Sequence, residues 1–500
     1  MTRQREAPVL SPSVVRQLAR LAADSPDELV LSARSSSGDW LSLTRAELGR
    51  HIDRATRELT AGTTGGKTLV SLPNSAQFFI AVLASWNAGR TPLIVPPHST
   101  PTELATLFTG VDERQEDVHE FPDLAPADLT PADLTGSAQP ADAPTAAYTA
   151  EDPVDEPAEA WYLPSGGSTG LPRLIPVAGR PIAQLSSQRI LLQAMGWQPD
   201  STQLVMGPLC HAAPFTSAMT GLLAGNHLVV VDRFTAAALR DACLRFPPTW
   251  CQTTPHQMAV IDSSDDLADA FGARLTGLMH TAAACPKDVK QAWISRLGGE
   301  RVFELYGSTQ MVGAVVNSGT DWLARPGTVG RPFMTQVRVV GEAGRRLPPG
   351  EVGEVFMRTG ATRRLTAAET AHLRSQPGGF FSVGDLGYLD QDGFLFLTDR
   401  VDDVIIVGGA NVSARETEHC LLTHPQVKEV LVVGRTHHLL GHTVHALVVP
   451  EDLGRPPAAA ELRQHCAEIL AAHKVPATVE FIAQFSRSRA GKIQRYRYQE

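Results

Sequence analysis

The segment Tyr162-Leu163-Pro164-Ser165-Gly166-Gly167-Ser168-Thr169-Gly170-Leu171-Pro172-Arg173 constrains this chain more than any other. Three glycines and three hydroxyl residues occupy the six positions from Ser165 to Gly170, directly after an apolar stretch. Such a loop offers free backbone N–H groups and hydroxyls that can wrap phosphate oxygens as an anion-binding nest. It lacks the Gly-Lys-Ser/Thr ending of a Walker loop. On its own a Gly/Ser loop is as readily a plain connector, so its meaning depends on what surrounds it.

The surrounding sequence reads as layered α/β structure. Apolar residues recur at helical spacing from Val14 to Ala23 and from Thr44 to Thr60, while Thr68 to Leu72 and Thr91 to Val95 read as short buried strands flanking a helix from Ala76 to Gly89. Strand, helix and strand joined by short turns predict a parallel layer. Further apolar strands are expected at Gln203 to Met206, Leu228 to Val231, Gly277 to His280 and Arg301 to Leu305. After Gly353 the pattern changes to hairpins, at Glu354 to Arg358, Gly387 to Leu389 and Gly393 to Thr398. Signals at Thr417 to His424, Val427 to Val433, His445 to Val449 and Ala458 to His473 then suffice for a small α+β domain. The expected fold class is α/β: a large N-terminal domain, residues 1–400, of layered α/β subdomains plus a β-rich subdomain, and a small mobile α+β C-terminal domain, residues 401–500. A chain of 500 residues exceeds what one core usually organises, in keeping with that division. Residues 111–159, with the tandem Pro126-Ala127-Asp128-Leu129-Thr130 and Pro131-Ala132-Asp133-Leu134-Thr135, read as a solvated acidic surface loop.

Composition narrows the function classes. Hydrophobic residues at 43% and charged residues at 19% belong to an ordinary globular protein. A net charge of -9 argues against a nucleic-acid binder, which needs a basic surface to displace counterions, yet leaves room for a local site for an anionic small molecule. The six cysteines form no CxxC pair, so neither a disulfide framework nor a zinc site is expected, and a reducing compartment is. Charges and prolines between Met1 and Val14 stand where a secretory signal needs an apolar core. The run Leu222 to Val231 is broken by Gly225, Asn226 and His227, so no membrane span and a cytoplasmic location are expected.

Several further segments carry chemistry in a fixed order. Phe303-Glu304-Leu305-Tyr306-Gly307-Ser308-Thr309-Gln310 ends a predicted strand, and strand C-termini are where ligands bind in α/β sheets. Gly384-Asp385-Leu386-Gly387-Tyr388 offers a carboxylate suited to ribose hydroxyls. It is followed by Thr398-Asp399-Arg400-Val401-Asp402-Asp403, Gly408-Gly409-Ala410-Asn411-Val412 and the basic segment Arg489-Ala490-Gly491-Lys492-Ile493-Gln494-Arg495. With Trp86-Asn87-Ala88-Gly89 upstream, this ordered set resembles the adenylate-forming superfamily of acyl- and aryl-CoA synthetases, luciferase and peptide-synthetase adenylation domains, closest to acyl-CoA ligases of bulky acids. The resemblance runs from about Leu41 to Arg495.

The resemblance implies roles. Ser165, Gly166, Gly167, Ser168, Thr169 and Gly170 would hold the β- and γ-phosphates of ATP. Tyr306, with Gly307 beside it, would pack on adenine, Thr309 would touch the α-phosphate, Asp385 would bind the ribose diol and Arg400 would support it. Asp402 matches the hinge of the small domain, and Gly408 and Gly409 match the loop lining the pantetheine tunnel of coenzyme A. Lys492 would bridge the carboxylate and α-phosphate, neutralising charge as adenylation proceeds. His211, in Pro208-Leu209-Cys210-His211-Ala212-Ala213-Pro214-Phe215, matches a gating position at the acyl pocket; a hydrogen-bonded core histidine is the plainer alternative. Ala282 and Ala283, in Thr281-Ala282-Ala283-Ala284-Cys285-Pro286, fit the small-residue wall of that pocket, and Cys285 reads as a packing thiol.

Two positions depart from the family pattern. Gln310 replaces the glutamate that ligates the Mg²⁺ accompanying ATP, which weakens that metal site because Mg²⁺ prefers carboxylates and phosphates. Arg173 replaces the usual lysine, a milder change. Adenylation depends on Mg·ATP, whereas thioester formation from acyl-AMP does not. The expected function is therefore an acyl-CoA ligase, either fully ATP-dependent or acting mainly as the thioesterifying half-enzyme on an acyl-AMP made by a partner ligase. A stand-alone enzyme loading a carrier protein in trans is the alternative acceptor chemistry, and a regulator without catalysis is disfavoured by Lys492 and Asp402. The small residues at Ala282 to Ala284 suggest a large alicyclic or polycyclic acid, with aromatic and medium-chain acids left open. Homodimers are common among such enzymes.

Overall fold

Short, nearly continuous apolar runs separated by helices produce parallel sheets covered on both faces. A computed structural model describes residues 13–60, 66–109, 118–121, 159–165, 173–360, 365–407, 410–487 and 493–499. In one sheet the strand order is Val118–Glu120, Lys67–Val70, Thr91–Ile94, Glu159–Pro164 and Leu174–Ala178. All neighbours are parallel except the last pair, a hairpin whose connection is the glycine-rich loop. The helix Ala76–Asn87 is apolar all round and nearly every residue in it is buried, so it packs as a core helix between layers. Ser75 caps it by accepting from the Phe78 N–H. Trp86 Nε1–H donates to the Ala160 carbonyl at 2.6 Å, and the rings of Trp161 and Phe215 meet edge to face. These contacts lock the first sheet to the helix Ala212–Leu223 of the second layer.

The second sheet holds 15 strands among the described residues. Its parallel part places Leu29–Arg34, His227–Val230, Thr202–Val205, Trp250–Thr253, Gly277–His280 and Val302–Gly307 side by side. Beyond Val302–Gly307 the pairing turns antiparallel through Ala314–Ser318 and Thr328–Phe333, then into Leu395–Arg400, Asp385–Leu389 and Gly353–Thr359. This is the β-rich region, and its register sets Asp385 opposite Arg400. A separate core draws on Ile405, Val412, Leu421, Val432, Val448 and Leu462. It lies under the strands Val427–His437, Gly441–Pro450 and Thr478–Phe481 and the helices Ala414–Leu422 and Ala459–Ile469. The protein is thus a large α/β layer structure followed by a smaller α+β unit.

Boundaries shift for local reasons. The expected helix from Ala76 to Gly89 ends at Asn87, because Gly89 takes φ 68°. The expected helix from Ala458 to His473 ends at Ile469, where Leu470 turns extended, and a separate 3-10 turn covers Ala472–Lys474. Within the segment expected as a surface loop, Val118–Glu120 instead pairs in parallel with Lys67–Val70, anchored by the buried Phe121 that follows. The proline-alanine tandem lies outside the described residues.

Candidate active site

The C-terminal ends of both sheets face one cleft of about 800 Å³. Ser165, Arg173, Ala282, Ala283, Tyr306, Gly307, Thr309, Gln310, Asp385 and Arg400 all line it. Val302–Gly307 and Asp385–Leu389 lie in the same sheet, which brings residues 79 positions apart into contact: Tyr306 Oη donates to Asp385 Oδ2 at 2.5 Å. Arg400 Nε stands 3.4 Å from Asp385 Oδ1, and its Nη2 donates to the Val383 carbonyl at 2.6 Å. Burial, then the Asp385 charge and the bond to it, push the Tyr306 phenol well above its usual value near 10, so it remains a donor. A carboxylate held at one oxygen by a phenol and at the other by a guanidinium is fixed in orientation and can accept from neighbouring hydroxyls.

The base of the glycine-rich loop is pinned. Ser165 N–H donates to the Arg173 carbonyl at 2.7 Å, and Arg173 N–H donates to Ser165 Oγ at 3.0 Å. Gly166, Gly167, Ser168, Thr169 and Gly170 lie outside the described residues. Across from the loop base, Gln310 is 9% exposed and its Nε2 donates to His372 Nε2 at 3.0 Å. His372 follows the short helix Ala367–Thr370, capped reciprocally by Thr366 and Glu369. Fully buried Glu369 also accepts from Ala178 N–H at 3.1 Å, fastening this helix to the hairpin that carries the loop. Desolvation and then the Arg173 charge hold His372 below the usual imidazole value.

A protein-held Mg²⁺ does not fit this end of the cleft. Every carboxylate lining it is engaged: Glu304 with Lys290 at 2.5 Å, Asp385 as above, Asp399 by the backbone N–H of Arg400 and Arg415, and Asp403 and Glu418 with Arg495. Among the described residues no group of His, Cys, Asp and Glu could hold a metal ion. The ligand position expected at Gln310 is an amide tied to a histidine beside an arginine, the opposite of what a hard dication selects.

Not every expected residue meets at the cleft. Lys492, Gly408 and Gly409 lie outside the described residues, as does the side chain of Asp402. Arg487 and Ile493 form a bridge on either side of the lysine segment, and Arg495 lines the cleft. His211 is the N-cap of Ala212–Leu223, capping without its side chain, and is absent from the cleft lining. Ala282 adopts φ 82°, a left-handed conformation unusual for a residue with a Cβ, at the turn beside Tyr306. Burial pushes the Cys285 thiol up to about 12, which fits packing and not nucleophilic work. His372, Arg415 and Glu418 also line the cleft although no local pattern marks them, and Arg495, known from the sequence only as the end of the basic segment, joins them there. For His372 the capping box Thr366-Ala367-Ala368-Glu369 was the available signal.

Known proteins resemble this chain over most of its length. Residues 18–364 match the AMP-binding enzyme family, and residues 416–492 match the AMP-binding enzyme C-terminal domain. The sulfoacetate–CoA ligase of Cupriavidus necator is 29% identical over 98% of both chains. The 2-succinylbenzoate–CoA ligase of Geobacillus kaustophilus is 35% identical over 60% of this chain and 61% of its own. The structure of ATP-bound MatB from Rhodopseudomonas palustris superposes with a TM-score of 0.78, at 24% identity over 97% of this chain and 98% of that one. This chain belongs to the AMP-binding enzyme family and is an adenylate-forming acid–thiol ligase.

Proposed function

We propose that the protein forms coenzyme A thioesters from a carboxylic acid through an acyl-adenylate, and that thioester formation is its stronger half-reaction. The observation that carries this is the unequal condition of the cleft: the nucleoside end is assembled, with Tyr306, Asp385 and Arg400 bonded together, while Gln310 replaces a carboxylate at the phosphate end. In this reading Tyr306 packs on adenine, Asp385 accepts from the ribose hydroxyls and Thr309 meets the α-phosphate. Lys492 neutralises the charge that builds as the acid attacks, and the loop Ser165–Gly170 wraps the departing phosphates. Residues 401–500 act as the lid, turning near Asp402 so that Gly408 and Gly409 replace Lys492 at the cleft when the thiol enters. Once pyrophosphate has left, the mixed anhydride is already activated and the thiolate needs no counter-charge on a triphosphate.

Two assays separate the halves. With acid, ATP and labelled pyrophosphate, exchange is expected to be slow; with synthetic acyl-AMP and coenzyme A, thioester is expected to form readily. Robust exchange would remove the split-reaction idea. Gln310→Glu is expected to raise exchange in Mg²⁺ by about tenfold or more while changing thioester formation less than twofold, since one charge-assisted contact is worth about that factor. Parallel incubation of acyl-AMP with coenzyme A and with a holo carrier protein identifies the acceptor.

A further inference from the structure

We infer that His372, held by Gln310 and flanked by Arg173, forms a metal-free binding site for a pyrophosphate group at the end of the cleft. This rests on the proposed nucleotide site and adds to it the residues that meet the terminal phosphates. Three observations converge. Gln310 Nε2 donates to His372 Nε2 at 3.0 Å, which leaves the ring proton on Nδ1 as a hydrogen-bond donor. Arg173 makes no ion pair with any described residue, yet it lines the same cleft and is fixed at its backbone by Ser165. The helix Ala367–Thr370, just before His372, is fastened by buried Glu369 to Ala178, so the histidine and the loop base keep their spacing.

An anion at this place meets a guanidinium and an imidazole donor, and each carboxylate among the described lining residues is already engaged. A guanidinium matches the paired oxygens of a phosphate, and the neutral imidazole adds direction without further charge. A resident dication requires carboxylates free to ligate it, and those among the described lining residues are already engaged. Pyrophosphate-bearing ligands are therefore held by direct contacts, and Mg²⁺ contributes only what it brings on the ligand.

Calorimetric titration of the full chain with inorganic pyrophosphate in EDTA tests this, with AMP titrated in parallel. Pyrophosphate is expected to bind in EDTA. His372→Ala and Arg173→Ala are each expected to weaken it about tenfold while AMP affinity stays within twofold, which also shows that the variants fold. Gln310→Glu is expected to weaken binding in EDTA and to make it depend on added Mg²⁺. Binding seen only with Mg²⁺, or unchanged in both alanine variants, overturns the inference. Failure of the wild type to bind AMP would instead sink the nucleotide site itself.

Discussion

At the scale of single residues, the bond between Tyr306 and Asp385 makes the sharpest demand. A hydrogen bond to a charged, partly buried acceptor contributes roughly 1.5–3 kcal/mol, and here it also sets which oxygen of the carboxylate remains available. Tyr306→Phe is expected to weaken AMP binding by about tenfold, read by calorimetry, without lowering the melting temperature of the small C-terminal unit. Unchanged affinity would mean that Arg400 alone orients Asp385. His280 makes a different kind of demand. It is wholly buried on the strand Gly277–His280, neither ring nitrogen has a partner among the described residues, and burial lowers its pKa to about 4 against the restoring charge of Glu304, while Lys290 adds to the lowering. The unfolded chain binds its proton near 6.5 and the folded chain only near 4, so stability is full above that window and falls as pH drops through it. His280→Leu is expected to remove much of the slope in urea midpoint between pH 7 and pH 4.5; an equally steep slope in the variant would place the titration elsewhere.

At the scale of elements, the short helix Ala367–Thr370 does more than its length suggests. One turn of helix is not stable by itself, so its caps and its docking on Leu174–Ala178 decide whether His372 reaches Gln310. Thr366→Ala removes the cap that Glu369 N–H donates to and is expected to cost about 1 kcal/mol. Its more telling effect should be faster amide exchange over residues 366–373, with the rest of the β-rich region unchanged. The strands that position the site were legible because buried parallel strands are short apolar runs, and Gly277–His280 was read at its observed bounds. The antiparallel strand Asp385–Leu389 was legible only in part: the pattern marked Gly387 to Leu389, while Asp385 pairs with Arg400 through a polar register that hydrophobic alternation cannot reveal. Val118–Glu120 was hidden for a related reason, since three residues at a sheet edge carry too little period to separate from the acidic stretch around them. The grouping of Tyr306, Asp385 and Arg400 could be expected from the resemblance, whereas the bond from Gln310 to His372 depends on a tertiary contact 62 residues apart.

At the scale of the whole molecule, Arg495 decides how the tail, the small unit and the cleft are joined. Its guanidinium donates to Glu418 at 2.6 Å and to the Val432 carbonyl at 2.5 Å, and stands 3.5 Å from Asp403 in the turn that leaves the large unit. Burial holds the Glu418 carboxyl above its usual range even with Arg495 pulling the other way. Removing one member of a mostly buried pair leaves an uncompensated charge and typically costs about 3 kcal/mol, more than the pair contributes when intact. Arg495→Ala is therefore expected to lower the melting temperature of the small C-terminal unit while leaving the large one close to wild type. Without the guanidinium the Glu418 pKa rises further in the folded state, so the folded chain holds a proton that the unfolded chain has released. The loss is then smaller at pH 5 than at pH 8, because protonation relieves the buried charge. Adding Glu418→Gln to Arg495→Ala removes that charge outright and should recover part of the stability at pH 8 and little at pH 5. A double variant no better than the single one at either pH would show that Arg495 acts through Asp403 and Val432, and that Glu418 merely accompanies it.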